Sequence, residues 1–305
     1  MRKWITIMVL CAMPLSHADG INLASAYRVD ADVTYLQADG INLKLDVYSP
    51  WRNSAEGGSS KLKTVVFFHG GGWMGGSKER SQLAVLPYLD KGWAAVNVQY
   101  RLGGTALAPA AVEDTRCALR WVVRNAEQYG IDTDNIVLTG RSAGGHLALI
   151  TGMLTPAAGL DARCPVGKGG SGTDRASVQF PEMNVAAIVN WSGITDVVDL
   201  IDGPNATTYA VSWLGAQPDR HSIAQRVSPM QYVRKGIPPI LTLHGDQDLV
   251  VPYEHAVRLH AALDDAGVPN QLHTLKGREH FVDYTAADNR RAYEVIDEFL
   301  REHLD

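Results

Sequence analysis

The chain has 305 residues, of which 46% are hydrophobic and 20% charged, the balance of a globular protein able to bury one large core. Its formal net charge of -5 offers no broad basic field, which argues against nucleic acid or an anionic lipid surface as a partner. No Pro/Ser-rich or charge-run linker interrupts the middle, so one domain is expected.

The first eighteen residues read as an export signal. Arg2 and Lys3 precede an apolar run from Trp4 to Met13, then come Pro14 and the small residues Ser16 and Ala18 ahead of Asp19. Cleavage after Ala18 leaves 19–305 as the mature domain, periplasmic or secreted. The run is shorter than the ~20 apolar residues a membrane span needs, and no later stretch reaches that length, so stable membrane insertion is not expected. A lipid-bearing Cys11 is the weaker alternative, because Leu10 before it is bulky. Cys117 and Cys164 remain in the mature chain, either as a disulfide or as two separate thiols.

Residues 32–37 and 41–48 predict an antiparallel pair with one wet face. Ile41, Leu43, Leu45 and Val47 alternate with polar residues, and Asp39-Gly40 is a turn signal. Thr64–Phe68, Ala94–Tyr100, Ile136–Thr139, Ala186–Trp191 and Ile240–His244 are nearly unbroken apolar runs, the mark of strands buried on both faces. Helical patterns at 78–90, 109–129, 142–153, 253–266 and 286–303 alternate with them, which predicts a mostly parallel sheet flanked by helices. The glycine-rich stretch 155–184 reads as a surface loop. Residues 196–235 read as a small helical insertion over the C-terminal edge of the sheet.

Gly140-Arg141-Ser142-Ala143-Gly144 stands between a strand and a helix. A serine displayed on so sharp a turn is the nucleophile-elbow context, and Ala143 N–H at the helix start can bond developing negative charge. A bare G-x-S-x-G arises by chance in on the order of one chain in ten, and a tight turn with an N-capping serine is the bland alternative. Context decides between them. His69-Gly70-Gly71-Gly72-Trp73 ends the first buried strand, where backbone free of Cβ atoms can approach a carbonyl; Gly71 and Gly72 are the expected oxyanion donors beside Ala143.

The acid and base follow in chain order. His244-Gly245-Asp246-Gln247-Asp248 lies past one strand end, and Gly277-Arg278-Glu279-His280 past the run Gln271–Leu275. Asp246 and Asp248 both qualify as the acid, Asp246 also as a turn former. Among ten histidines only His280 has the right order and position. His69 and His146 are expected to brace or pack, and His255 and His260, five apart on a helix, do not share a face for metal ligation.

Together these motifs resemble the α/β-hydrolase esterases related to the hormone-sensitive lipase family, most closely the Bacteroidetes-type feruloyl esterase-like group. The likeness runs from about residue 40 onward and includes His244 through Pro252. It implies the α/β-hydrolase fold, a Ser142, Asp248, His280 triad with the acid at Asp248, and an oxyanion hole of Gly71, Gly72 and Ala143. It also implies a serine carboxylesterase working through an acyl-enzyme on short-acyl, acetyl or feruloyl esters of plant polysaccharides, with no cofactor or metal. Trp73, Trp191 and Tyr100, just past buried strands, are expected either to line the acyl or sugar side of the cleft or to pack in the core. Formamidase-like and prolyl-oligopeptidase-like hydrolases share the elbow. The region before the sheet, roughly forty residues, is too short for the propeller of the latter. A non-catalytic binding protein of the same fold is the alternative of another class. The expected partner is a small-molecule or carbohydrate ester, and the oligomeric state is not legible.

Overall fold

The computed structural model describes residues 27–51, 61–165, 183–281 and 284–304. The export signal expected at 1–18, and residues 166–182 of the glycine-rich stretch, lie outside the described residues.

Eight strands form one sheet: β1 (Tyr27–Ala38), β2 (Ile41–Pro50), β3 (Leu62–Phe68), β4 (Ala94–Val98), β5 (Ile131–Arg141), β6 (Ala187–Trp191), β7 (Ile240–Gly245) and β8 (Asn270–Leu275). Their order is β1-β2-β4-β3-β5-β6-β7-β8, with β1, β2 and β4 paired antiparallel and every later pair parallel. The β1–β2 connection is the two-residue turn expected at Asp39-Gly40. Both residues have positive φ, 50° and 76°, the backbone that lets a hairpin keep its right-handed twist.

Alternation along each buried strand supplies two cores at once. Val66, Phe68, Ile136 and Leu138 face one apolar cluster, and Val65, Phe67 and Val137 face the other. The first is covered by helices α1 (Ala110–Arg124), α2 (Ala143–Met153) and α5 (Glu254–Asp265), with α3 (Thr208–Leu214) and α4 (Arg220–Arg226) from the expected insertion. The second is covered by the helical turns Lys78–Ser81, Gln82–Val85 and Leu86–Leu89 and by α6 (Ala286–Leu304). Both faces are apolar because both are covered.

Three differences from the sequence reading have local causes. β5 begins at Ile131 rather than Ile136, because Ile131 pairs with Leu62 across an irregularity in the β3–β5 ladder. β1 begins at Tyr27, since Tyr27 to Asp30 pair with Pro50 to Val47 although the strand lacks a continuous apolar face. The polar face of β2 is not wet throughout, because the buried Lys78 ammonium reaches Asp46 at 2.8 Å and Asp32 at 3.0 Å.

Cys117 on α1 and Cys164 form a disulfide, which settles the alternative left open by the sequence. It ties the segment after α2 to α1, and Asp161 in that segment accepts from Arg116 at 2.7 and 2.9 Å and from Arg120 at 2.5 Å. Closing a loop of 47 residues restricts the unfolded chain by on the order of 4 kcal/mol in the loop-entropy picture. Reduction under native conditions is therefore expected to lower the urea midpoint, with peptide maps showing the Cys117 and Cys164 peptides linked only without reductant. Equal midpoints in both redox states would contradict the stabilising role.

Candidate active site

Ser142 sits between the last residue of β5 and the first of α2 with φ 56° and ψ -121°, a strained backbone for a residue with a Cβ. Its N–H donates to the Trp191 carbonyl at 2.8 Å, and its carbonyl accepts from His146 N–H at 3.0 Å. The glycines two before and two after it permit that turn: a Cβ on Gly144 would collide with the Phe68 carbonyl oxygen, and one on Gly140 with the Gly144 carbonyl. Strand and helix touch through bare backbone.

The loop after β3 runs alongside. A Cβ on Gly70 would lie 2.8 Å from the Arg141 carbonyl oxygen and 3.5 Å from Ser142 Cβ, so this backbone passes directly beside the serine. Gly71 (φ 120°), Gly72 (φ 58°) and Trp73 (φ 58°) turn the chain back, and the Gly71 carbonyl accepts from Met74 and Gly75 at 3.0 Å each. The Gly71 and Gly72 N–H groups donate to no protein carbonyl among the described residues. Ala143 N–H, at the first position of α2, directly follows the serine in the chain.

At the ends of β7 and β8 the structure places Asp248, not Asp246, against the His280 ring, with Nδ1 at 2.6 Å from Oδ2. The other oxygen, Oδ1, accepts from Val250 and Val251 N–H at 2.9 and 2.8 Å. Asp246 instead accepts from Gly277 N–H at 2.6 Å, tying its loop to the one after β8 rather than bonding its own turn. Burial raises the Asp248 pKa, but hydrogen bonds from His244, His280 and the Val251 N–H outweigh it and hold the carboxyl well below the usual carboxylate range. Ser142 Oγ and the His280 ring share no hydrogen bond. They are linked through a chain of contacts: the Arg141 guanidinium lies 5.6 Å from the Phe281 ring, which packs 4.7 Å from the His280 ring.

His244 was not expected as a member of the site. It is fully buried at the end of β7, with Nε2 donating to the Val251 carbonyl at 3.0 Å and lying 3.2 Å from Asp248 Oδ2. Its sequence signal was the i, i+4 spacing to Asp248 within one motif. Tyr209 on α3 was also missed: it packs against Gly72 and tilts over Trp73 at 5.9 Å, and its hydroxyl donates to the Val250 carbonyl at 3.0 Å. The insertion thus bridges the glycine loop and the acid loop.

Trp73, Trp191 and Tyr100 line no cleft. Their exposures are 0%, 2% and 1%. Trp73 stacks on Trp213 at 4.1 Å and donates from Nε1 to His146 Nδ1 at 3.1 Å; His146 donates its other nitrogen to the Val227 carbonyl at 2.7 Å. Burial lowers the His146 pKa to about 4, so the ring is neutral and can accept. Tyr100 donates to the His69 carbonyl at 2.8 Å and stacks on that ring at 4.2 Å, while Trp191 packs under Arg141 and Tyr293. His69 and His146 brace the glycine loop, as expected. The apolar side chains that do face solvent here are Met74, Val211, Leu249 and Val250.

The sequence model of the BD-FAE family matches residues 45–263, most of the chain. The chain belongs to the BD-FAE family. Among curated proteins this family member is 28% identical to Esterase LipQ of Mycobacterium tuberculosis, over 88% of this chain and 61% of LipQ. It spans less than two thirds of that relative and 46% of Esterase LipC from the same organism, to which it is 30% identical over 63% of its own length. Among solved structures it is similar to Thermogutta terrifontis esterase 2 in its apo form (27% identity, TM-score 0.70, 92% of this chain and 95% of that one). It is likewise similar to a truncated carbohydrate esterase from gut microbiota (25% identity, TM-score 0.70, 92% and 97%). The fold of this BD-FAE member is the α/β-hydrolase fold.

The depressed Asp248 pKa has a defined sign in stability. A carboxyl bound more tightly as the anion in the native state stabilises fully above its unfolded value of about 3.9, and that contribution is lost as pH falls below it. Between pH 5 and 3, roughly, the urea midpoint of the native sequence should fall more steeply than that of Asp248→Asn. Parallel acid limbs would remove Asp248 from the account.

Proposed function

We propose that the chain is a serine carboxylesterase in which Ser142 is the nucleophile, His280 the general base and Asp248 the group that orients the imidazole. The observation that carries this reading is the 2.6 Å bond from His280 Nδ1 to a buried carboxylate, at the rim of the sheet that also carries a strained serine. That bond puts the proton on Nδ1 and leaves Nε2 free to take the serine proton. Ser142 Oγ attacks the ester carbonyl while His280 accepts its proton, and Gly71, Gly72 and Ala143 N–H groups receive the oxyanion. His280 returns the proton to the departing alcohol, and water then frees the acyl group by the same route. The Ser142–His280 hydrogen bond forms on substrate binding, as such bonds often tighten only in the complex.

The relatives named as esterases, and structures of the Thermogutta enzyme phosphoramylated by tabun and phosphorylated by paraoxon, support ester chemistry at this site. Likeness to a carbohydrate esterase supports carbohydrate esters as substrates, and our reading extends this to short-acyl, acetyl or feruloyl esters of plant polysaccharides. Export to an oxidising compartment belongs to the same reading, and the Cys117–Cys164 bond supports it.

Ser142→Ala is expected to lower kcat on p-nitrophenyl acetate by on the order of 10⁴ to 10⁶ without changing the circular dichroism spectrum. Asp248→Asn should cost on the order of 10⁴ and Asp246→Asn far less. Turnover undiminished in Ser142→Ala, or a ranking reversed between the two aspartates, would overturn these roles.

A further inference from the structure

Arg141 fills the variable position directly before Ser142; it hydrogen-bonds the Tyr293 side chain, but no carboxylate among the described residues answers its charge. The half-buried guanidinium lies 5.2 Å from the Trp191 ring and 5.6 Å from the Phe281 ring, and it pairs with no carboxylate among the described residues. Other arginines in the interior are treated differently. Arg101 is held by Asp114 at 2.6 Å, and Arg116 and Arg120 share Asp161. Arg80, exposed on the turn after the glycine loop, also has no carboxylate partner among the described residues.

Both arginines line one cavity of about 360 Å³, together with Gly70, Ser81, Leu83 and Tyr293. Gly70, whose backbone passes beside Ser142, and Arg141, the serine's chain neighbour, both line the cavity, which brings its wall to the residues flanking the serine. Its size suits a small acid or a single sugar ring rather than a long chain. Two planar cations and two hydroxyls offer the fork geometry that carboxylates accept in pairs, and the aromatic faces hold Arg141 in place before any ligand arrives.

We propose that this cavity is a subsite for a carboxylate carried by the ester substrate, so that the enzyme prefers anionic esters over neutral ones of equal size. The proposal rests on the esterase reading and adds the substrate class. The carboxylate can reside on the acyl group, as in a dicarboxylic monoester, or on the alcohol, as in an esterified hydroxy acid or uronate.

Matched substrates separate these sources. On the acyl side, mono-p-nitrophenyl glutarate is compared with p-nitrophenyl valerate; on the alcohol side, 4-acetoxybenzoate is compared with its methyl ester. In one of the two pairs the anionic member should have a kcat/KM about five-fold or more above its neutral partner, and the ratio should collapse toward one in both Arg80→Gln and Arg141→Gln. Because each ratio is internal to one variant, a change in folding or general activity cancels. A ratio near one in both pairs for the native sequence, or a preference that survives both substitutions, would overturn the subsite. Failure of all four esters to react would instead strike at the esterase reading.

Discussion

The structure depends on a backbone contact with no room for side chains, where the end of β5, the start of α2 and the loop after β3 meet. Ser142 can hold φ 56° only because its neighbours over-determine that conformation, and they can do so only because Gly140 and Gly144 let carbonyl groups approach where a Cβ would otherwise stand. The same crowding brings the Gly70 backbone beside the serine, and the Gly71, Gly72 and Ala143 N–H groups have no backbone acceptors among the described residues. Strain at one residue and unmet donors at three others are ordinarily costs to a fold. Here they lie together at the C-terminal rim of a sheet, where a ligand can meet them.

The acid side is built in the opposite manner, by supplying donors to both carboxylate oxygens. Asp248 receives two backbone N–H groups on one oxygen, and the His280 and His244 rings approach the other. A carboxylate so bound stays ionised and stationary, and that fixes the His280 tautomer. His244 acts through Asp248 as a positioning residue and touches the proposed reaction only indirectly. The insertion joins the two sides, since Tyr209 packs on Gly72 and bonds the carbonyl of Val250, two residues past the acid.

How far the sequence revealed this depended on the kind of physics involved. The buried strands were legible because burial on both faces requires unbroken apolar runs, and the hairpin because Asp39-Gly40 supplies the positive φ that its turn needs. The glycine pattern announced a close approach but not its partners. Asp248 was separated from Asp246 by family resemblance alone, since both carboxylates follow the same strand and only the loop's hydrogen bonds distinguish them. Trp73, Trp191 and Tyr100 show what strand-end position cannot tell: which way a large ring turns. All three turn inward, where Trp213 on the insertion, Tyr293 on α6 and His69 receive them through contacts far apart in sequence. The disulfide was equally undecidable, because no local pattern says that Cys164 folds back onto α1.

Covalent trapping tests the central claim most directly. After brief exposure of the folded protein to paraoxon, peptide mass spectrometry should find a single diethylphosphoryl group, on the hydroxyl of Ser142, and prior denaturation should abolish it. A modification on any other residue, or a native protein that hydrolyses esters while Ser142 stays unmodified, would contradict the account.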